Sequence, residues 1–488
     1  MMTAREMAHH VAGGLFARVS DPRDRDVDHI LDGEGCIACE AMEKAETRYF
    51  FWLLAENQSD LEVMRDFAER WGFCRRHARY LAERAEGPGL AHLYQFTCAH
   101  ALSGLEAAPK HGHRLGRVPG NTCPACLVLR EVEQGVFGVL RRALGRADLR
   151  ARYPIRAPLC FLHAQHFLAC APRETVRTVI EVADRWLANC SRTQGAPTSA
   201  LDMERAATAL AGRMALTAGT APPRRLPIGG DADPARCLSD VVTARRGCPV
   251  CYEMLRVEAE RLAWLAQSRP DVAVREIEDL LPLCNTHLWA AMGVLPARLR
   301  AVTLAHAMGA ARAQLALALR PEAAQVRRGP LRWLRAVRPA ARLEALAIAR
   351  EIAAGPLYCP MCVRAEVAER RSLGLVLTLA ETTAFRRQYE AGTGLCMRHL
   401  AAAQRQTGAA EAVQFLLSTQ HAKLRLLDWE LQEALRKQIW TSRCEHRGSE
   451  GEAWMRALMV FAGVVSLDLS ASAERLAPNT IDLEGTAT

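Results

Sequence analysis

Cysteine and histidine recur in this chain at fixed distances. Cys36-Ile37-Ala38-Cys39 is followed by Cys74-Arg75-Arg76-His77, and Cys123-Pro124-Ala125-Cys126 by Cys160-Phe161-Leu162-His163. Further on, Cys248-Pro249-Val250-Cys251 is followed by Cys284-Asn285-Thr286-His287, and Cys359-Pro360-Met361-Cys362 by Cys396-Met397-Arg398-His399. The third cysteine trails the first by 36 to 38 residues in every copy, which accounts for twelve of the 17 cysteines. Three thiolates and one imidazole make a closed tetrahedral zinc site, with no coordination position left for a substrate. The simplest assignment closes one site within each copy: Cys36, Cys39, Cys74 and His77; Cys123, Cys126, Cys160 and His163; Cys248, Cys251, Cys284 and His287; Cys359, Cys362, Cys396 and His399. Four zinc ions per chain are then expected. An iron–sulfur cluster is the alternative cofactor, since histidine can replace a cysteine ligand there. A redox Cys-x-x-Cys would need a βαβ setting, and no strands are legible.

Such ligands need rigid elements to aim them, and the flanking sequence is helical. Stretches rich in Ala, Leu, Glu and Arg follow each Cys-x-x-Cys, with apolar residues three and four apart. They predict helices over Glu40–Glu56, Leu127–Leu144, Tyr252–Gln267 and Val363–Thr382. Three of the four pairs are Cys-Pro-x-Cys, and proline suits a first helical turn, where its missing N–H costs nothing. Each Cys-x-x-His opens another helix, as in His77–Ala85 and His399–Gln406, and a longer one spans Ala410–Lys437. The expected fold is all-α: four tandem helical repeats, each pinned by its own metal site and arranged as two pairs.

A glutamate stands seven residues after the second cysteine of every pair: Glu46, Glu133, Glu258 and Glu369. Seven residues carry it nearly two turns along the helix, about 10 Å. It reads either as an acceptor for the second nitrogen of a ligand histidine or as an ordinary ion pair with a neighbouring helix. The length of the reach favours the ion pair. Five cysteines stay outside the pattern: Cys98, Cys170, Cys190, Cys237 and Cys444. Cys98-Ala99-His100 sits mid-helix and reads as core, Cys444-Glu445-His446 offers too few ligands, and His166 competes with His163 as a ligand.

The chain of 488 residues is 50% apolar and 24% charged, enough for two to four domains with real cores. The divisions expected are repeats over 1–109 and 122–215, a linker over 216–235, repeats over 236–345 and 346–470, and a tail over 471–488. Net charge is +9, but 59 of the 63 basic residues are arginine, which dilutes its meaning as a sign of polyanion binding. One segment, Arg320–Arg342, concentrates arginine and makes nucleic acid a further candidate partner. No apolar run approaches the ~20 residues of a membrane helix, and Arg5, Glu6, His9 and His10 precede a weak apolar patch, unlike a secretory signal. A cytoplasmic protein with reduced cysteines and no membrane partner is expected. No nucleophile elbow, phosphate-binding loop or H-E-x-x-H motif is present, so no catalytic set can be assembled.

Cys-Pro-x-Cys, a long helix and Leu-Cys-x-x-His together resemble a bacterial family of helical Cys-rich domains. Leu426–Gly463, with Trp429-Glu430-Leu431 and Gly451-Glu452-Ala453-Trp454-Met455-Arg456-Ala457, looks like the C-terminal helical end of such proteins. Ile37 and Phe73 depart from the pattern, standing where the other copies have proline and leucine. The resemblance implies metal binding and a helical repeat, and no reaction. The expected function is a non-enzymatic zinc-binding scaffold for a protein partner, with an iron–sulfur or metal-transfer accessory and a nucleic-acid-binding zinc protein as alternatives.

Overall fold

The computed structural model describes residues 35–84, 87–111, 123–156, 159–171, 173–191, 199–213, 247–279, 283–318, 359–406, 410–442 and 444–463. The Thr217–Pro234 boundary, the Arg320–Arg342 segment, Cys237 and the tail from 471 lie outside them. Among the described residues there are eighteen α-helices and no strand, as the spacing of apolar residues predicts.

The helices come in four similar groups. The first holds α1 (Ile37–Phe51), α2 (Leu61–Glu69), α3 (Arg75–Arg84) and α4 (Gly87–His111). The second holds α5 (Pro124–Gly145), α6 (Ala147–Arg156), α7 (Phe161–Cys170) and α8 (Arg173–Ser191), followed by an additional helix, α9 (Ala200–Ala211). The third holds α10 (Pro249–Gln267), α11 (Pro270–Asp279), α12 (Asn285–Val294) and α13 (Ala297–Ala318). The fourth holds α14 (Pro360–Leu379), α15 (Thr383–Ala391), α16 (Met397–Gln404) and α17 (Ala410–Arg436), again followed by an additional helix, α18 (Ala453–Ala462).

Each Cys-x-x-Cys helix begins three residues earlier than apolar periodicity suggests, because the first cysteine of the motif is itself the N-cap. Its carbonyl accepts the first helical bond, from Glu40 N–H to Cys36 (3.1 Å), Leu127 to Cys123 (3.1 Å), Tyr252 to Cys248 (3.0 Å) and Val363 to Cys359 (3.1 Å). The Cys-x-x-His motifs do the same from Ala78, Ala164, Leu288 and Leu400. Pro124, Pro249 and Pro360 occupy the first helical position, where proline fits without losing a bond.

Helix α1 packs on α5, and α10 on α14. The additional helices reach across the molecule: α9 packs on α12 and α13, and α18 on α3 and α4. Helices α4 and α17 run against each other, with Cys98 donating its thiol to the Leu424 carbonyl (3.2 Å), which confirms Cys98 as a core residue. Tyr94 of α4 meets Phe461 of α18 with ring centroids 5.7 Å apart.

Candidate metal centres

All sixteen motif residues converge into four groups, each able to hold a metal ion, with ligand atoms within 4.8 Å of one another. The partners are not those of the within-copy assignment. Site I joins Cys36 and Cys39 to Cys160 and His163, and site II joins Cys123 and Cys126 to Cys74 and His77. Site III joins Cys248 and Cys251 to Cys396 and His399, and site IV joins Cys359 and Cys362 to Cys284 and His287. Each quartet thus takes its Cys-x-x-Cys from one copy and its Cys-x-x-His from another, which corrects the expectation that each repeat closes its own site.

Helix packing explains the exchange. Phe50, near the end of α1, contacts Phe73, His77 and Tyr80 with centroids 5.5, 5.8 and 5.2 Å apart. The Cys-x-x-His of the first copy therefore lies at the far end of its own opening helix, more than two turns from Cys39. Phe137, equally far along α5, contacts His163 and Phe167. Because α1 and α5 pack antiparallel, the far end of one lies beside the cysteine-bearing start of the other. A site forms at each end of the helix pair.

The recurrent glutamates face these sites, and two of them also make the expected ion pair with a neighbouring helix, Glu46 with Arg76 and Glu369 with Arg398. Three of them accept from the Nε2 of a ligand histidine, Glu46 from His77 (2.8 Å), Glu258 from His287 (3.2 Å) and Glu369 from His399 (3.1 Å), while Glu133 stands 3.5 Å from the Nε2 of His163. The reach looked too long because it was measured to the site that opens the glutamate's own helix; the carboxylate serves the site at the other end. Such a carboxylate fixes the tautomer, leaving Nδ1 free to face the three sulfurs. Nδ1 lies 3.1 to 3.4 Å from the sulfurs in all four sites. Glu46 also accepts from Arg76 (2.6 Å), and Glu133 from His166 Nδ1 (2.7 Å). His166 is thus no ligand but a second partner of that carboxylate. Cys444 is exposed and belongs to none of the groups found among the described residues.

The groups polarise one another. Burial opposes a charged imidazole, yet neighbouring thiolates outweigh it, holding His77 and His163 well above the ordinary value. With help from Glu258 and Glu369, His287 is pushed up to about 12 and His399 to about 9. In return, the bond from His399 holds the Glu369 carboxyl below the usual range. In every quartet one thiol is pushed down. Sulfur hydrogen bonds from Cys123, Cys284 and Cys248 do this for Cys74, Cys359 and Cys396 respectively, and at Cys36 those from Cys160 and Cys39 overcome complete burial. Helix N-termini add to the effect, since their partial positive charge favours thiolate.

Two kinds of residue beyond the motif shape the sites. Gly212 ends α9 with φ +76°, and a Cβ there would come 2.8 Å from Cys39 Sγ and 3.5 Å from Cys160 Sγ. Gly463 ends α18 with φ +66° and stands at the same distances from Cys251 and Cys396. Only glycine supplies both the positive φ and the close approach. Tyr153 and Tyr389, six residues before Leu159 and Leu395, accept the backbone N–H of those leucines (3.3 and 2.8 Å). They anchor the chain just ahead of Cys160 and Cys396, and burial keeps both phenols protonated. In the other two copies the same position holds Phe67 and Ile277. The six-residue spacing was visible in the sequence; the role of the glycines was not, because it depends on helices far from the ligands.

Fold and quartets together define an all-α protein with four candidate metal-binding centres. A model for a family of unknown function, DUF6062, matches residues 237–436, a stretch containing every ligand of sites III and IV. No curated protein and no solved structure matches the chain.

Proposed function

We propose that this is a zinc-binding helical repeat protein, with four ions pinning its helix pairs, that serves as a non-enzymatic scaffold for a protein partner. The observation that carries the reading is the size of the quartets. A tetrahedral zinc with Zn–S of about 2.3 Å sets its sulfurs about 3.8 Å apart. The sulfur pairs Cys39–Cys160, Cys74–Cys126, Cys251–Cys396 and Cys284–Cys362 are 3.7 to 3.9 Å apart. A cluster would instead seat its ligands on separate irons around a sulfide cage, spreading them wider than one shared ion does. Four protein ligands fill the tetrahedron, so the ion has no open position for catalysis. Exposed Leu426 and Trp429 on α17, with Ile439 and Trp440 just beyond it, support a protein partner. No described helix is long and apolar enough to cross a membrane.

Elemental analysis of anaerobically purified protein tests the reading. About four zinc per chain and no visible absorption are expected. A brown protein containing iron and acid-labile sulfide would replace it with the cluster alternative.

A further inference from the structure

The four quartets share one edge that is treated in two ways. It is the pair of sulfurs formed by the second cysteine of Cys-x-x-Cys and the cysteine of Cys-x-x-His. In sites I and III the backbone of Gly212 or Gly463 lies on that edge, and all four ligands are buried. In site II, Cys74 and Cys126 are only half-buried. In site IV, Cys284 is half-buried and Cys362 is exposed. The inward ligands of these two sites, Cys123 with His77 and Cys359 with His287, remain buried. Among the described residues, each open site is therefore anchored on one side and left partly uncovered on the other.

Such anchoring matters for ligand exchange. A filled tetrahedral ion gives up a thiolate readily only when an incoming ligand can approach the metal and expand its coordination for a moment. A glycine backbone on the sulfur edge blocks that approach; a surface edge permits it. Site IV also opens beside a groove of about 310 Å³ that begins at Val363, the residue after Cys362, and is lined by Val367, Arg256, Arg364 and Arg371. Arg256 is paired with two carboxylates, Glu253 and Glu260, which together outweigh its charge by one. Arg364 and Arg371 leave the groove positive, which attracts small anions.

We propose that sites II and IV are exchange sites, passing a thiophilic divalent ion to and from small anionic thiols, while sites I and III retain theirs. The proposal rests on the zinc reading above. At site IV the incoming thiol loses its proton and its sulfur bonds to the ion. The bond from the ion to Cys362 breaks, and the departing thiolate takes up a proton. No oxidation state changes. His287 and Cys359 hold the ion during the handover, and the exposure of Cys362 makes site IV faster than site II.

The test uses the full chain loaded with zinc, mixed with excess colorimetric zinc chelator in the presence of glutathione. Two of the four ions are expected to leave in a fast phase, at least about ten times ahead of the other two. Brief alkylation followed by mass spectrometry is expected to label Cys74, Cys126, Cys284 and Cys362 before the remaining ligands. Cys362→Ser is expected to remove about one ion from the fast phase and none from the slow one. Release of all four in a single phase, or labelling that ignores this order, overturns the exchange proposal and leaves the zinc reading standing. A chain that carries no zinc and takes up none on reconstitution overturns both. The wild-type measurements stand even if the variant fails to fold.

Discussion

Sites I and III have the same kinds of ligand, closely similar sulfur spacing and the same glutamate beside the ligand histidine as sites II and IV. What separates the two kinds lies outside the coordination shell. A helix end terminated by glycine covers the first kind, and a tyrosine clamps the strand of chain that enters it. Among the described residues the second kind has neither feature, with Phe67 and Ile277 where the tyrosines stand, and its edge cysteines are half-buried or, at Cys362, exposed. Four candidate centres with one ligand set thus differ in the residues around them, and the difference is itself repeated, once in each half of the chain.

The largest expected effect that could break this comparison comes from removing equivalent thiols. Cys396→Ala at a closed site strands buried charged partners away from water, a defect of about 3–5 kcal/mol. Cys284→Ala at an open site leaves partners that water can reach, and its cost is expected to be less than half as large. Urea unfolding of the two variants measures the difference, and equal midpoints would erase the distinction. A smaller effect is expected at the seal. Gly463→Ala forces a side chain into a left-handed turn and against Cys251, for a loss of about 2 kcal/mol. Gly374→Ala, in the interior of α14 with open space around it, is the control and is expected to stabilise by about 0.5–1 kcal/mol. Smallest is Tyr389→Phe, which removes the acceptor for Leu395 and is expected to cost about 1 kcal/mol. Its thermal midpoint should fall while metal content stays unchanged.

The ligands and the helices that carry them were legible in the sequence because each signal is local. Cys-x-x-Cys sets two sulfurs one helical turn apart, and Cys-Pro marks a helix start whatever the rest of the chain does. Which pair meets which histidine was not legible. The four copies are interchangeable as ligands, and the choice is made by the antiparallel packing of α1 on α5 and of α10 on α14, a property of surfaces far apart in sequence. The glutamates were read only in part for the same reason: their periodicity and ion pairing were plain, but the destination of a side chain two turns along depends on what lies beside the helix there. Gly212 and Gly463 carried no sequence signal beyond being glycines after helices.

The crossed pairing also imposes an order on manufacture. The ligands of site II, residues 74 to 126, fall inside the interval spanned by site I, residues 36 to 163, and site IV sits likewise inside site III. As the chain leaves the ribosome from its N-terminus, the inner, uncovered site of each half is complete first and the outer one closes around it. Gly212 or Gly463 emerges last of all. An ion that reaches the outer site before that glycine arrives would meet open sulfurs, and one that comes afterwards would have to wait for the glycine-capped helix end to open. Each half is therefore built like a strongbox with its lid at the end of the tape, and the outer sites of chains made without metal would refill far more slowly than the inner ones.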